Sequence, residues 1–144
     1  MKNDIIIIEQ EFNAPVGKVW KSLTDKDALS HWFFPIDEFK PEVGYTFIFY
    51  TGGEEQKYEH VCKITEIIEN KKISYTWKYP DVDGDSVVTY ELFPKDNNKT
   101  ILVFTHKGIC SFPQNDPIFK RDTFLNEWNE KIKFILKEYV EAND

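Results

Sequence analysis

The chain has 144 residues, a length at which one domain buries roughly two-thirds of the surface its extended form exposes. Hydrophobic residues make up 41% of it and aromatic residues 16%, with 12 Phe, 7 Tyr and 4 Trp. So many rings can fill a core or wall a ligand cavity. A formal charge of -7 sets net repulsion against phosphate backbones and anionic bilayers, which removes nucleic acid from the expected partners.

Residues 4–12 are β-branched and then alternate, as a strand does, and Asn13-Ala14-Pro15 ends them because proline restricts the residue before it. From Pro15 the apolar residues Val16, Val19, Trp20 and Leu23 recur at helical spacing. Thr24 is the expected cap of a second short helix with Asp25 and Asp27 in its first turn and Leu29, Trp32 and Phe33 on one side. Pro35 stops it.

The middle of the chain predicts an antiparallel meander. Tyr45, Phe47 and Phe49 alternate, 51–53 turns, and 58–68 runs back. Asn70-Lys71 leads into Ile73, Tyr75, Trp77 and Tyr79. A polar turn is expected over 81–85, then Val88, Tyr90 and Leu92, another turn over 94–99, and Leu102, Phe104 and His106 in the inward phase of the last strand.

After a loop at 113–117, Phe124, Trp128, Ile132, Ile135, Leu136 and Tyr139 follow at spacings of four, four, three, one and three, the stripe of a long amphipathic helix. Glu127, Glu130, Lys131, Lys133, Lys137 and Glu138 interleave both signs and read as its solvated side. The class is therefore α+β: a curved antiparallel sheet wrapped around a long C-terminal helix, with two short helices after the first strand. With no linker or repeat, residues 1–144 are read as a single domain.

Cys62 and Cys110 are far apart and outside any C-x-x-C spacing, which implies a reducing compartment and a cytoplasmic location. His31, His60 and His106 show no metal-ligand spacing, and nucleotide, P-loop and nucleophile-elbow motifs are absent. Neither a metal nor a cofactor nor a catalytic residue is expected. The apolar run 5–8 is too short for a membrane span or a signal peptide.

Specific residues then resemble a known family. Asn13-Ala14-Pro15-Val16-Gly17-Lys18-Val19-Trp20, followed by Leu23-Thr24-Asp25 and His31-Trp32-Phe33, looks like the opening signature of the activator of heat-shock protein 90 ATPase-like family, in the START-like (SRPBCC) superfamily. Val43-Gly44, Ile73-Ser74-Tyr75-Thr76-Trp77, Thr105-His106-Lys107-Gly108 and Trp128 resemble its later motifs. The resemblance implies a helix-grip domain with a cavity between sheet and closing helix, used by relatives for lipids, hormones and polyketides. Two departures stand out. Cys62 occupies a position where many relatives carry glycine, and the extra N-terminal domain of the eukaryotic co-chaperones is missing, so direct stimulation of a chaperone ATPase is not expected.

Strand and helix phase select Trp32, Phe47, Phe49, Tyr75, Trp77, Tyr90, Phe104, His106, Phe124 and Trp128 as candidate ligand-binding residues. An empty cavity of roughly 300 Å³ would cost on the order of 7 kcal/mol, against a total stability of about 5 to 15 kcal/mol. Either the rings pack on each other or something occupies the space. His106 can orient a polar group of a ligand or bond within the core, Trp32 can gate the mouth beside His31 or anchor its helix, and Cys62 reads as an inert buried thiol. Three function classes follow: a carrier or sensor for an apolar or aromatic compound, lipid-like, polyketide-like or an aromatic acid; a small enzyme using His106 with Tyr75 or Tyr90 for acid–base work; and an interaction domain, chaperone-linked or homodimeric through the doubly apolar strand of Ile5, Ile6, Ile7 and Ile8.

Overall fold

The computed structural model describes residues 5–52 and 57–142. Asp4, the expected start of the first strand, and Gly53, part of the expected 51–53 turn, lie outside them. The elements are β1 (Ile6–Phe12), α1 (Val16–Thr24), α2 (Lys26–Trp32), β2 (Thr46–Gly52), β3 (Lys57–Ile68), β4 (Lys72–Tyr79), β5 (Val82–Asp96) and β6 (Lys99–Lys107), closed by a long helix. That closing helix runs through α3 (Arg121–Asn129), a π-helical segment (Glu130–Leu136) and α4 (Lys137–Ala142). The strands form one antiparallel sheet in the order β1-β6-β5-β4-β3-β2, and its concave face buries the closing helix. This is the expected α+β helix-grip architecture.

Local chemistry refines the expected boundaries. Asp25, not Thr24, caps α2, accepting from the Ala28 N–H at 3.1 Å; the Thr24 hydroxyl instead bonds back to the Trp20 carbonyl at 2.9 Å. The turn expected over 81–85 is shorter, because Tyr79 already pairs with Val82 and β5 starts there. The turn expected over 94–99 shrinks likewise, since Pro94 pairs with Thr100 and Asp96 with Lys99. Proline is accommodated in this long strand because β4 has ended: the Leu92 N–H faces that side, bonding the Lys71 carbonyl, and two residues on the missing N–H of Pro94 points where no strand pairs.

The closing helix differs in phase from expectation. Its fully buried positions are Phe124, Trp128, Ile132, Leu136 and Val140, spaced by four throughout, while Ile135 is 37% exposed. In an α-helix every fourth residue overshoots a full turn by about 40°, so such a stripe would spiral off the sheet. The wider i→i+5 turns of the π-helical segment wind it back. Val140 thus enters the core, Ile135 leaves it, and half-buried Tyr139 stacks on His31 with centroids 5.1 Å apart.

At the sheet edge the same helix covers β1. Arg121 donates to the Ile5 carbonyl at 3.1 Å, Lys133 to Glu9 at 3.4 Å and Lys137 to Glu11 at 3.4 Å, occupying carbonyls that a neighbouring strand would otherwise bond. Ile6 and Ile8 are buried on the inward side, whereas Ile7 on the other is 64% exposed.

Candidate functional site

All ten candidate residues are buried, and their rings form one connected cluster on the concave face. Phe104 and Trp128 have centroids 4.4 Å apart, Trp77 and Trp128 5.2 Å, Phe47 and Tyr75 5.0 Å. Phe33, which follows α2, inserts between sheet and helix: it lies 5.2 Å from Phe49, 6.3 Å from Trp77 and 6.3 Å from Trp128. This part of the interior is packed by rings, the first of the two outcomes open at the sequence level.

The polar atoms of the packed part are satisfied internally. Tyr75 and Tyr90 hydroxyls bond each other at 2.9 Å, and burial pushes both phenols upward. The Trp128 indole N–H donates to His106 Nδ1 at 3.1 Å, which fixes the tautomer: Nε2 carries the hydrogen and donates to Ser86 Oγ at 2.9 Å, and Ser86 donates to the Trp77 carbonyl at 2.7 Å. His106 is fully buried, and burial holds its imidazole down at about 3. The acid–base arrangement of His106 with Tyr75 or Tyr90 is therefore not assembled: both ring nitrogens are bonded elsewhere and the tyrosines bond each other. Nor does the strand open to solvent after His106, because Ile109, Phe112 and Phe119 plug that end.

Trp32 closes α2 on its buried side. It is 2% exposed, and its indole N–H donates to the Ser22 carbonyl at 2.7 Å, tying α2 to α1. Cys62 is fully buried, and burial raises its thiol well above the ordinary value, matching an inert reading.

The interior opens beside Trp77. A cleft of about 510 Å³ lies between the ends of β2, β3 and β4 and the first half of the closing helix. Its walls are Phe34, Thr51, Gly52, Tyr58, His60, Trp77, Tyr79, Ile118, Phe124, Glu127, Glu130, Lys131 and Ile135. Trp77 and Phe124 are the two of the ten candidates that line it; Trp128 joins them with Phe34 and Lys131 at a narrow crevice alongside. The other seven do not border the cleft.

Several of these walls lie outside the ten candidates. Tyr58 and His60 share the inward phase of β3 with Cys62 and Ile64, and Tyr79 continues the period of Tyr75 and Trp77, so strand alternation carried the signal. Phe34 has no such signal, since the loop after α2 has no period; it stacks on Phe49 at 4.5 Å. Glu127, Glu130 and Lys131, read as a solvated helix side, rim the cleft instead. Lys131 is half-buried, donates to the Phe33 carbonyl at 2.8 Å and sits 4.0 Å from the Phe34 ring centre, a cation–π contact that offsets part of the cost of its desolvation. Burial draws its ammonium pKa down and pushes the Glu127 carboxyl up.

Two cleft residues present hydrogen-bonding groups. His60 is 4% exposed; its Nδ1 lies 3.0 Å from the Tyr58 carbonyl, which can only accept, so Nδ1 carries the hydrogen. Burial lowers this imidazole to about 4 against the opposing pull of the Tyr58 and Phe49 carbonyls, so the ring is neutral and Nε2 bears a lone pair. The Tyr79 oxygen accepts the Trp77 indole N–H at 2.9 Å and retains its own hydrogen for donation. The His60 and Tyr79 rings lie 4.7 Å apart. Among the described residues no group of three or more His, Cys, Asp or Glu is placed to hold a metal ion, and no helix is long and apolar enough to cross a membrane.

A sheet gripping a closing helix, with a ring-walled cleft at one end, defines a helix-grip domain of the START-like superfamily. Residues 13–141 match the family described as activator of Hsp90 ATPase homolog 1-like protein, and the chain belongs to that family. Among solved structures, it is similar to protein BH1534 of Bacillus halodurans at 27% identity, covering 95% of this chain and 96% of that one with a TM-score of 0.72. Protein CV1439 of Chromobacterium violaceum shares the fold at 23% identity, 97% and 99% coverage and a TM-score of 0.78. DynU16, a protein of the dynemicin biosynthetic locus, shares it at 17% identity and a TM-score of 0.77, covering 98% of this chain and 48% of that one. No curated protein matches the chain.

Proposed function

We propose that this domain binds an apolar or aromatic small molecule, and that the site is the open cleft rather than the packed centre of the grip. The observation that carries this reading is the cleft itself: about 510 Å³, within the usual range for ligand sites, and bordered by the rings of Phe34, Tyr58, His60, Trp77, Tyr79 and Phe124. Such rings offer a ligand large apolar faces at little cost in side-chain freedom. A fold relative in the dynemicin biosynthetic locus fits a small-molecule role. Of the candidate residues, Trp77, Phe124 and Trp128 contact the ligand in this reading. Phe47, Phe49, Tyr75, Tyr90, Phe104 and His106 hold the wall behind them, and Trp32 fixes α2.

The test is an amide NMR titration of the labelled protein with a panel of lipids, flavonoids and substituted naphthalenes. Shifts are expected to cluster at Gly52, His60, Tyr79, Ile118 and Lys131. Replacing Ile135 by Trp, which places an indole at the cleft wall, should weaken them. Shifts confined to the convex sheet face, or none at saturating compound, would remove the reading.

A further inference from the structure

The cleft wall has a hydrogen-bonding character that narrows the class of ligand. His60 Nδ1–H is spent on the Tyr58 carbonyl, and the neutral ring keeps an acceptor at Nε2. Tyr79 has already accepted from Trp77 and keeps a donor. The two rings are neighbours, with centroids 4.7 Å apart, and both border the cleft. An acceptor beside a donor is matched by a ligand group that gives one hydrogen and takes another, which a hydroxyl does and an ether or a bare ring does not.

Charge points the same way. Glu127 and Glu130 rim the cleft, and the ammonium of Lys131 is held by the Phe33 carbonyl and the Phe34 ring. A carboxylate entering here meets two like charges and, at His60, a lone pair rather than a donor. Resting on the cleft-binding reading above, we infer that the ligand is a neutral planar aromatic bearing a hydroxyl, a phenol or an enol, whose O–H donates to His60 Nε2 while its oxygen accepts from Tyr79. His60 and Tyr79 are thus specificity-determining residues. This narrows the range of ligands considered from the sequence and removes aromatic acids from it.

Three probes of one shape test this: 2-naphthol, 2-methoxynaphthalene and 2-naphthoate, titrated at pH 7 with amide NMR or calorimetry as the readout. 2-Naphthol is expected to bind about tenfold tighter than its methyl ether, the factor one buried hydrogen bond supports, and tighter than the carboxylate. His60→Phe, which keeps a ring and deletes the acceptor, should bring 2-naphthol and 2-methoxynaphthalene within about twofold of each other. Equal binding of 2-naphthol and its ether by the unaltered protein would overturn the inference while leaving the cleft a binding site. Tightest binding of 2-naphthoate would also overturn it and make Lys131 the recognition group. Absence of binding by all three, with no cleft shifts for any compound of the wider panel, would sink the cleft reading and this inference with it. The comparison among probes needs no variant, so it stands even if His60→Phe fails to fold.

Discussion

Acidification from pH 7.5 to 5 is expected to remove about 4 kcal/mol of folding stability through two buried histidines. His106 is held at about 3 by burial, and His60 at about 4 by burial opposed by backbone carbonyls. Unfolded, both return to about 6.5. Below that value the unfolded chain binds more protons than the folded one, so stability falls as acid is added. The contribution of each ring is complete above pH 6.5 and declines by about 1.4 kcal/mol per pH unit further down. It levels off near pH 4 for His60 and near pH 3 for His106. At pH 5 each has lost about 2 kcal/mol. Glu127, raised by burial, acts in the opposite sense and trims the loss slightly. Urea titrations followed by tryptophan fluorescence at fixed ionic strength, from pH 7.5 to 5, measure the sum, and imidazole carbon NMR assigns it. An unfolding midpoint that stays put across this range, or folded-state titration of either ring near 6.5, would refute the reasoning.

Ser86→Ala leaves the His106 Nε2–H without its acceptor in a fully buried site, so a loss of about 2 to 3 kcal/mol is expected by chemical denaturation; a loss under about 0.5 kcal/mol would mean that the ring finds another partner. Two glycine substitutions should have opposite signs. At Gly108, with φ of +94°, an added Cβ would lie 2.5 Å from the Asp85 carbonyl oxygen, so Gly108→Ala should cost about 3 kcal/mol. At Gly17 in α1 nothing stands within 4 Å, and Gly17→Ala should stabilise by about 0.5 to 1 kcal/mol, both read from thermal unfolding. Exposed Cys110 should react with a thiol reagent in the native protein, whereas Cys62 should react only after denaturation; two thiols titrating at once would contradict the burial of Cys62.

How much of this was legible in the sequence varies with the kind of signal. Alternation placed Phe47, Phe49, Tyr75, Trp77, Tyr90, Phe104 and His106 on one face because a strand's period of two is rigid. The helix stripe failed at Ile135 and Val140 for the opposite reason. Helical phase depends on the local winding, and a π-helical stretch has no residue signature in Glu130–Leu136 that periodicity can read. The site was harder still. His106 looked like a functional residue from its phase, yet its role depends on Ser86 and Trp128, which are 20 and 22 residues away. His60 carried the same phase signal on β3, three strands across the sheet from β6. Whether an inward residue ends in packing or in a cleft is decided by what covers it. Here the covering side chain is Phe33, whose place on the apolar side of the second helix was legible although what it would cover was not.

The cations on β1 carry a consequence for assembly. An open sheet has two rims, and on one of them Arg121, Lys133 and Lys137 act as clasps, so another chain extending the sheet there would first have to undo three bonds. Among the described residues no side chain clasps the β2 rim, and Ile48 and Tyr50 of that strand face solvent. Acylation of the lysine amines would loosen two of the three clasps and leave only Arg121 on the Ile5 carbonyl, so most of this margin would become open to a further strand.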